Sequence, residues 1–72
     1  MQKYLEDILK NRMLQQRKPP RDIIQQMLRD GLIENPKQAW RTLEKWDKKG
    51  IFDYGVSLDL GWLLDENGNP IR

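Results

Sequence analysis

The stretch that decides the fold runs Asn35-Pro36-Lys37-Gln38-Ala39-Trp40-Arg41-Thr42-Leu43-Glu44-Lys45-Trp46-Asp47-Lys48-Lys49-Gly50. Asn35 offers a side-chain oxygen to the unbonded N–H groups of a helix start. Pro36 suits the first helical position, where its missing N–H costs nothing. Gly50 is the residue type that ends a helix in the left-handed conformation. A helix from Pro36 to about Lys49 follows. Taking about 100° per residue from Lys37, the side chains of Ala39, Leu43, Trp46 and Trp40 fall between about 180° and 300°, and Lys37, Lys48, Arg41 and Lys45 between about 0° and 80°. One buried aromatic side and one open cationic side are therefore expected on opposite faces.

Working back toward the N-terminus, Gly31 reads as the left-handed stop of a second helix, with Leu32 folding back in a Schellman motif. That helix begins at Pro20, carries Asp22 in its first turn where the helix dipole favours a carboxylate, and runs to about Asp30. Its core face is Ile23, Ile24, Met27 and Leu28. Arg17 to Pro20 separates it from a first helix, Gln2 to about Gln16, because proline disfavours helical geometry in the residue before it. Tyr4, Leu5, Ile8, Leu9 and Met13 give that first helix an apolar stripe. Arg12 projects toward the middle of the stripe, so it must snorkel, pair with a carboxylate or mark an unusual surface, with structural pairing the favoured account.

Beyond Gly50 the period changes. Phe52, Tyr54, Val56, Leu58, Leu60, Trp62 and Leu64 alternate with Asp53, Gly55, Ser57, Asp59, Gly61 and Leu63, which argues for strands with a bend or loop between Gly55 and Gly61. Asn67-Gly68 is a hairpin signal for a type I′ turn, pairing Trp62 to Glu66 with Asn69 to Arg72. The expected class is α+β, mainly α, as one domain over residues 1–72: three helices and a small C-terminal antiparallel β-hairpin.

Composition narrows the chemistry. The 72 residues contain no cysteine and no histidine, so no disulfide framework is available, nor the commonest general base and metal ligand. No nucleophile–base pair or metal cluster is evident, and a non-enzymatic protein without catalytic residues, metal or cofactor is expected. The N-terminal segment lacks an apolar run of signal or membrane-span length, which gives a soluble, cytoplasmic expectation with no membrane partner. The net charge of +2 conceals a division at Gly50: residues 1–50 hold 12 Lys/Arg and 7 Asp/Glu, a balance of +5, and residues 51–72 hold 1 and 4, a balance of −3. A basic front points to an anionic partner.

Two amphipathic helices separated at Gly31, the second basic-faced and followed at once by a strand, carry a family resemblance. The stretch Asp22-Ile23-Ile24-Gln25-Gln26-Met27-Leu28-Arg29-Asp30-Gly31-Leu32-Ile33, with Asn35 to Phe52, resembles the winged helix-turn-helix superfamily of bacterial transcription regulators. The likeness covers roughly residues 20–55. Its most useful piece is Leu43-Glu44-Lys45-Trp46-Asp47-Lys48-Lys49-Gly50-Ile51, which looks like the family's helix end leading into the first wing strand. The resemblance implies a fold of three helices and a wing, with the third helix entering the major groove of DNA. Two departures stand out: the wing carries Asp53, Asp59, Asp65 and Glu66 where family wings that touch phosphates usually carry Lys or Arg, and no small strand is evident between the first two helices.

Lys37, Arg41, Lys45 and Lys48 form a ridge about 16 Å long at about 1.5 Å rise per residue, comparable with a major-groove crossing. Gln38 and Arg41, near the helix start, suit base edges, since glutamine can bind adenine and arginine guanine, each through two hydrogen bonds. Lys45, Lys48 and Lys49 suit phosphates, and Arg17, Lys18 and Arg21 could clamp the neighbouring backbone. The competing view makes the ridge an ordinary solvated helix face partly offset by Glu44 and Asp47. Core packing is expected for Trp40 and Trp46 ahead of base stacking, while Trp62 could lie at a partner surface. Asp65, Asn67, Gly68 and Asn69 read as a turn and not a calcium loop, since the closing glutamate and flanking helices are missing. The expected partner is double-stranded DNA. The alternative is a protein-interaction module in which a protein partner, or a second copy in a homodimer, docks on the acidic C-terminal strands through Leu58, Leu60 and Trp62.

Overall fold

Two proline-led helix starts and two glycine-made helix stops divide the chain, and each does so through identifiable backbone hydrogen bonds. The computed structural model describes residues 2–53 and 60–71. Its elements are α1 (Lys3–Gln16), α2 (Pro20–Arg29), α3 (Pro36–Lys48), β1 (Phe52–Asp53) and β2 (Trp62–Leu63). The architecture is mainly helical with a small two-stranded antiparallel sheet, an α+β arrangement.

At the end of α2, Gly31 takes φ +74°, the Leu32 N–H donates to the Met27 carbonyl at 2.9 Å, and the Gly31 N–H donates to the Leu28 carbonyl at 3.2 Å. This is the two-bond Schellman pattern, and α3 repeats it: Gly50 has φ +77°, with Ile51 bonded to Trp46 at 3.1 Å and Gly50 to Asp47 at 3.0 Å. The start of α3 is capped by Asn35, whose Oδ1 accepts from the Lys37 N–H at 2.9 Å. α1 ends differently, on Arg17 in the left-handed region at φ 55° and ψ 42°.

The three helices and the sheet enclose one core of Leu5, Leu9, Met13, Ile23, Ile24, Met27, Ile33, Ala39, Leu43, Trp46, Phe52 and Leu63. Leu28, assigned to the core by its spacing, is half-buried and packs against it, as does Ile8. Tyr4 is a correction: its side chain is 57% exposed. The buried residues of α1 are Leu5, Leu9 and Met13, centred about 140° around the helix from Tyr4, which places the tyrosine on the far side. Arg12, at the edge of that buried face, pairs as expected: its Nη1 donates to Asp30 Oδ2 at 2.9 Å and joins α1 to the end of α2. A second link between these helices is a reciprocal amide pair, with Gln16 Nε2 donating to Gln26 Oε1 at 3.0 Å and Gln26 Nε2 donating to Gln16 Oε1 at 2.6 Å.

β1 and β2 pair in the register Phe52 with Leu63 and Asp53 with Trp62. The Leu64 N–H extends this by donating to the Ile51 carbonyl at 2.8 Å. After β2 the chain doubles back through a bridge between Leu64 and Pro70, and the Ile71 N–H donates to the Leu63 carbonyl at 2.7 Å. The hairpin at Asn67-Gly68 is thus present, but its turn is not type I′. Only Gly68 has positive φ there, +81°; its N–H donates to the Asp65 carbonyl at 3.0 Å and the Asp65 N–H donates to the Asn69 carbonyl at 2.9 Å. This is the longer hairpin loop with a glycine bulge. Asp65 selects it, because its Oδ1 accepts from both Asn67 and Asn69 N–H at 2.9 Å and holds Asn67 out of the left-handed region. The alternation through Tyr54, Gly55, Val56, Ser57, Leu58 and Asp59, the bend expected there, and Arg72 lie outside the described residues.

Candidate nucleic-acid interface

α3 shows one face to the core and the opposite face to solvent. Ala39, Thr42, Leu43 and Trp46 are buried, and Lys37, Gln38, Arg41, Lys45, Lys48 and Lys49 are exposed. The buried face is rotated relative to the sequence expectation. Its centre lies near about 190° from Lys37, with Thr42 inside it and Trp40 outside it. Thr42 can be buried because its hydroxyl donates to the Gln38 carbonyl one turn earlier, at 3.3 Å, so it packs as a small β-branched residue with a satisfied polar atom. Trp40, expected in the core, is 40% exposed and stands at the seam between α3 and α2.

The ridge residues divide by their neighbours. Lys45 lies nearest the buried face, and its Nζ sits 3.4 Å from Glu6 Oε1 on α1. Among the described residues, no ion pair engages Lys37, Arg41 or Lys48. Lys48 and Lys49 occupy the last turn and C-cap of α3, where cations complement the helix dipole. These two therefore have a structural role available to them as well as an electrostatic one.

The α1–α2 junction supplies the remaining cations. Arg17, Lys18 and Arg21 are all exposed. Arg21 is brought to α3 directly: together with Ile24 and Gln25 of α2 and Pro36 and Trp40 of α3 it lines a half-open cavity of about 110 Å³. Arg17 and Lys18 stand in the preceding loop, before the prolines that start α2.

No protein-family model, curated protein or solved structure matches this chain.

Among the described residues, no group of three or more carboxylates gathers closely enough to hold a metal ion, and no buried side-chain nitrogen or oxygen is left without a partner. No helix is long and apolar enough to cross a membrane. The feature that sequence reasoning missed is the open indole of Trp40. The signal was its position on the helix, about 110° from the centre of the buried face once Thr42 is counted as buried.

Proposed function

We propose that this chain is a DNA-binding module of winged-helix type, which lays the open face of α3 into the major groove. The observation that carries the reading is the row Lys37, Arg41 and Lys48, exposed and, among the described residues, without an ion pair, on the side of α3 opposite Ala39, Thr42, Leu43 and Trp46. The order of three helices followed by an antiparallel pair of strands supports it. Phosphates draw the lysines, Arg41 and Gln38 reach base edges near the start of the helix, and Arg21 meets the backbone beside them. Lys45 contributes less, since it must give up Glu6.

A salt titration of duplex binding, read by anisotropy of a labelled DNA, tests this. Each phosphate neutralised adds about −0.9 to the slope of log affinity against log salt, so engagement of phosphates by Lys37, Lys48 and Arg21 predicts a slope of about −2.7. Replacing both Lys37 and Lys48 by alanine should make the slope shallower by about 1.8 and leave the helical circular dichroism unchanged. Salt-independent binding, or equal binding by parent and variant, would remove α3 from the interface. A flat response would direct attention instead to a protein partner at the C-terminal strands, where Leu60 is 38% exposed and Asp65 and Glu66 face solvent.

A further inference from the structure

The cavity between α2 and α3 has a composition that the cationic ridge does not explain. Ile24, Pro36 and the indole of Trp40 give it apolar walls, with Gln25 and Arg21 completing the lining. Trp40 is 40% exposed although its neighbours Ala39 and Leu43 are fully buried. It belongs to the first half of α3, the part of a groove-inserted helix that meets base edges. Lys37 and Arg41 flank it on the same helix, and both are exposed. An occupant that offers a small apolar group and turns negative charge toward Arg21, Lys37 and Arg41 suits this hollow, while Glu44, exposed one turn further along α3, is the charge it has to avoid.

Duplex DNA presents one apolar group among the donors and acceptors of its major groove, the C5-methyl of thymine. We infer that Trp40 and the hollow beside it receive a thymine methyl, so that this seam reads thymine while the ridge binds phosphate. The inference rests on the reading that α3 enters the major groove, and it adds to that reading a base preference and the residue that sets it. The indole and Ile24 bury the methyl, Arg21 holds the phosphate backbone next to it, and Gln25 is placed for a neighbouring base edge.

The experiment compares oligo(dA)·oligo(dT) with oligo(dA)·oligo(dU), duplexes that differ only in the methyl group. In a homopolymer every binding register offers a thymine, so the preferred site need not be known. The parent should bind the thymine duplex about fourfold more tightly, the value of burying one methyl. Trp40→Ala should bind the two duplexes equally and keep the parent's salt slope. Any effect of the methyl on duplex shape acts on parent and variant alike, so the ratio of the two preferences isolates the indole. Should the alanine variant unfold, Trp40→Gln keeps a long stem over Ile24 while removing the ring and serves in its place. A parent that binds both duplexes equally, with its salt dependence intact, overturns this inference and leaves the DNA-binding reading standing; so does an equal thymine preference in parent and variant. Tighter binding to single-stranded oligo(dT) than to the duplex overturns it in favour of base stacking on Trp40. Failure to bind either duplex overturns both readings.

Discussion

Gly31 and Gly61 occupy positions closed to other residues for different reasons, and the difference can be measured. Gly31 has φ +74° and nothing within 4 Å of where a Cβ would stand. Its requirement is conformational only, and Gly31→Ala should cost about 1–2 kcal/mol of left-handed strain. Gly61 has no such backbone demand. It lies buried against β1, where a Cβ would collide with the Asp53 carbonyl oxygen and come 2.8 Å from Cε1 of the Phe52 ring. The obstacle includes main chain and a fully packed aromatic, so neither can yield cheaply. Gly61→Ala should destabilise by about 1–3 kcal/mol, the range for overpacking, read as a lower urea midpoint. Because a domain of this size has only about 4–10 kcal/mol in total, that loss is easily seen, and an unchanged midpoint would mean that β1 and Gly61 are not in contact. The close approach at Gly61 is not legible in the sequence, where the residue marks only the end of an expected bend; only the strand register gives it a neighbour.

At the scale of elements, helix ends were the most legible feature, because each is written in a local chemical signal. Asn35-Pro36 and the glycines at 31 and 50 mark the ends of α2 and α3 to within a residue, since caps and left-handed stops depend on residues close in sequence. Asn35→Ala removes the acceptor for the Lys37 N–H and should lower stability by about 1 kcal/mol. Asn35→Asp should recover most of it in a parallel unfolding curve, and equal losses in the two variants would exclude capping as the cause. Faces were less legible than ends. Thr42 reads as polar, which turns the apparent core face of α3 toward Trp40; its bond to the Gln38 carbonyl is what turns it back. Likewise Asn67-Gly68 signals a hairpin correctly, but the turn type depends on Asp65 two residues earlier, which competes for the same N–H groups. In each case the missing information is a side chain bonding to its own backbone, an effect that hydrophobic periodicity does not register.

At the scale of the whole molecule, the balance of +5 over residues 1–50 and −3 beyond them is a property of the sequence, but which cations remain available to a partner depends on packing. Lys45 illustrates this. Sequence spacing puts it in line with Lys37, Arg41 and Lys48, while the arrangement of α1 against α3 places Glu6 within 3.4 Å of its ammonium. Glu6 is the more sheltered partner, with 17% of its side chain exposed against 51% for the lysine. A duplex approaching α3 therefore competes with an intramolecular carboxylate for Lys45 and meets an Arg41 that no carboxylate among the described residues holds. Two consequences separate this arrangement from a uniform cationic stripe. Lys45→Ala should weaken duplex binding less than Arg41→Ala does at the same salt. Glu6→Gln should strengthen it, by at most about fivefold, because a pair this exposed is worth no more than about 1 kcal/mol. The gain should shrink as salt is raised and vanish when Lys45→Ala is added, since the carboxylate acts through that one ammonium. If Glu6→Gln strengthens binding equally with and without Lys45, the carboxylate acts as a general repulsive charge and not through the pair, and Lys45 belongs with the rest of the ridge.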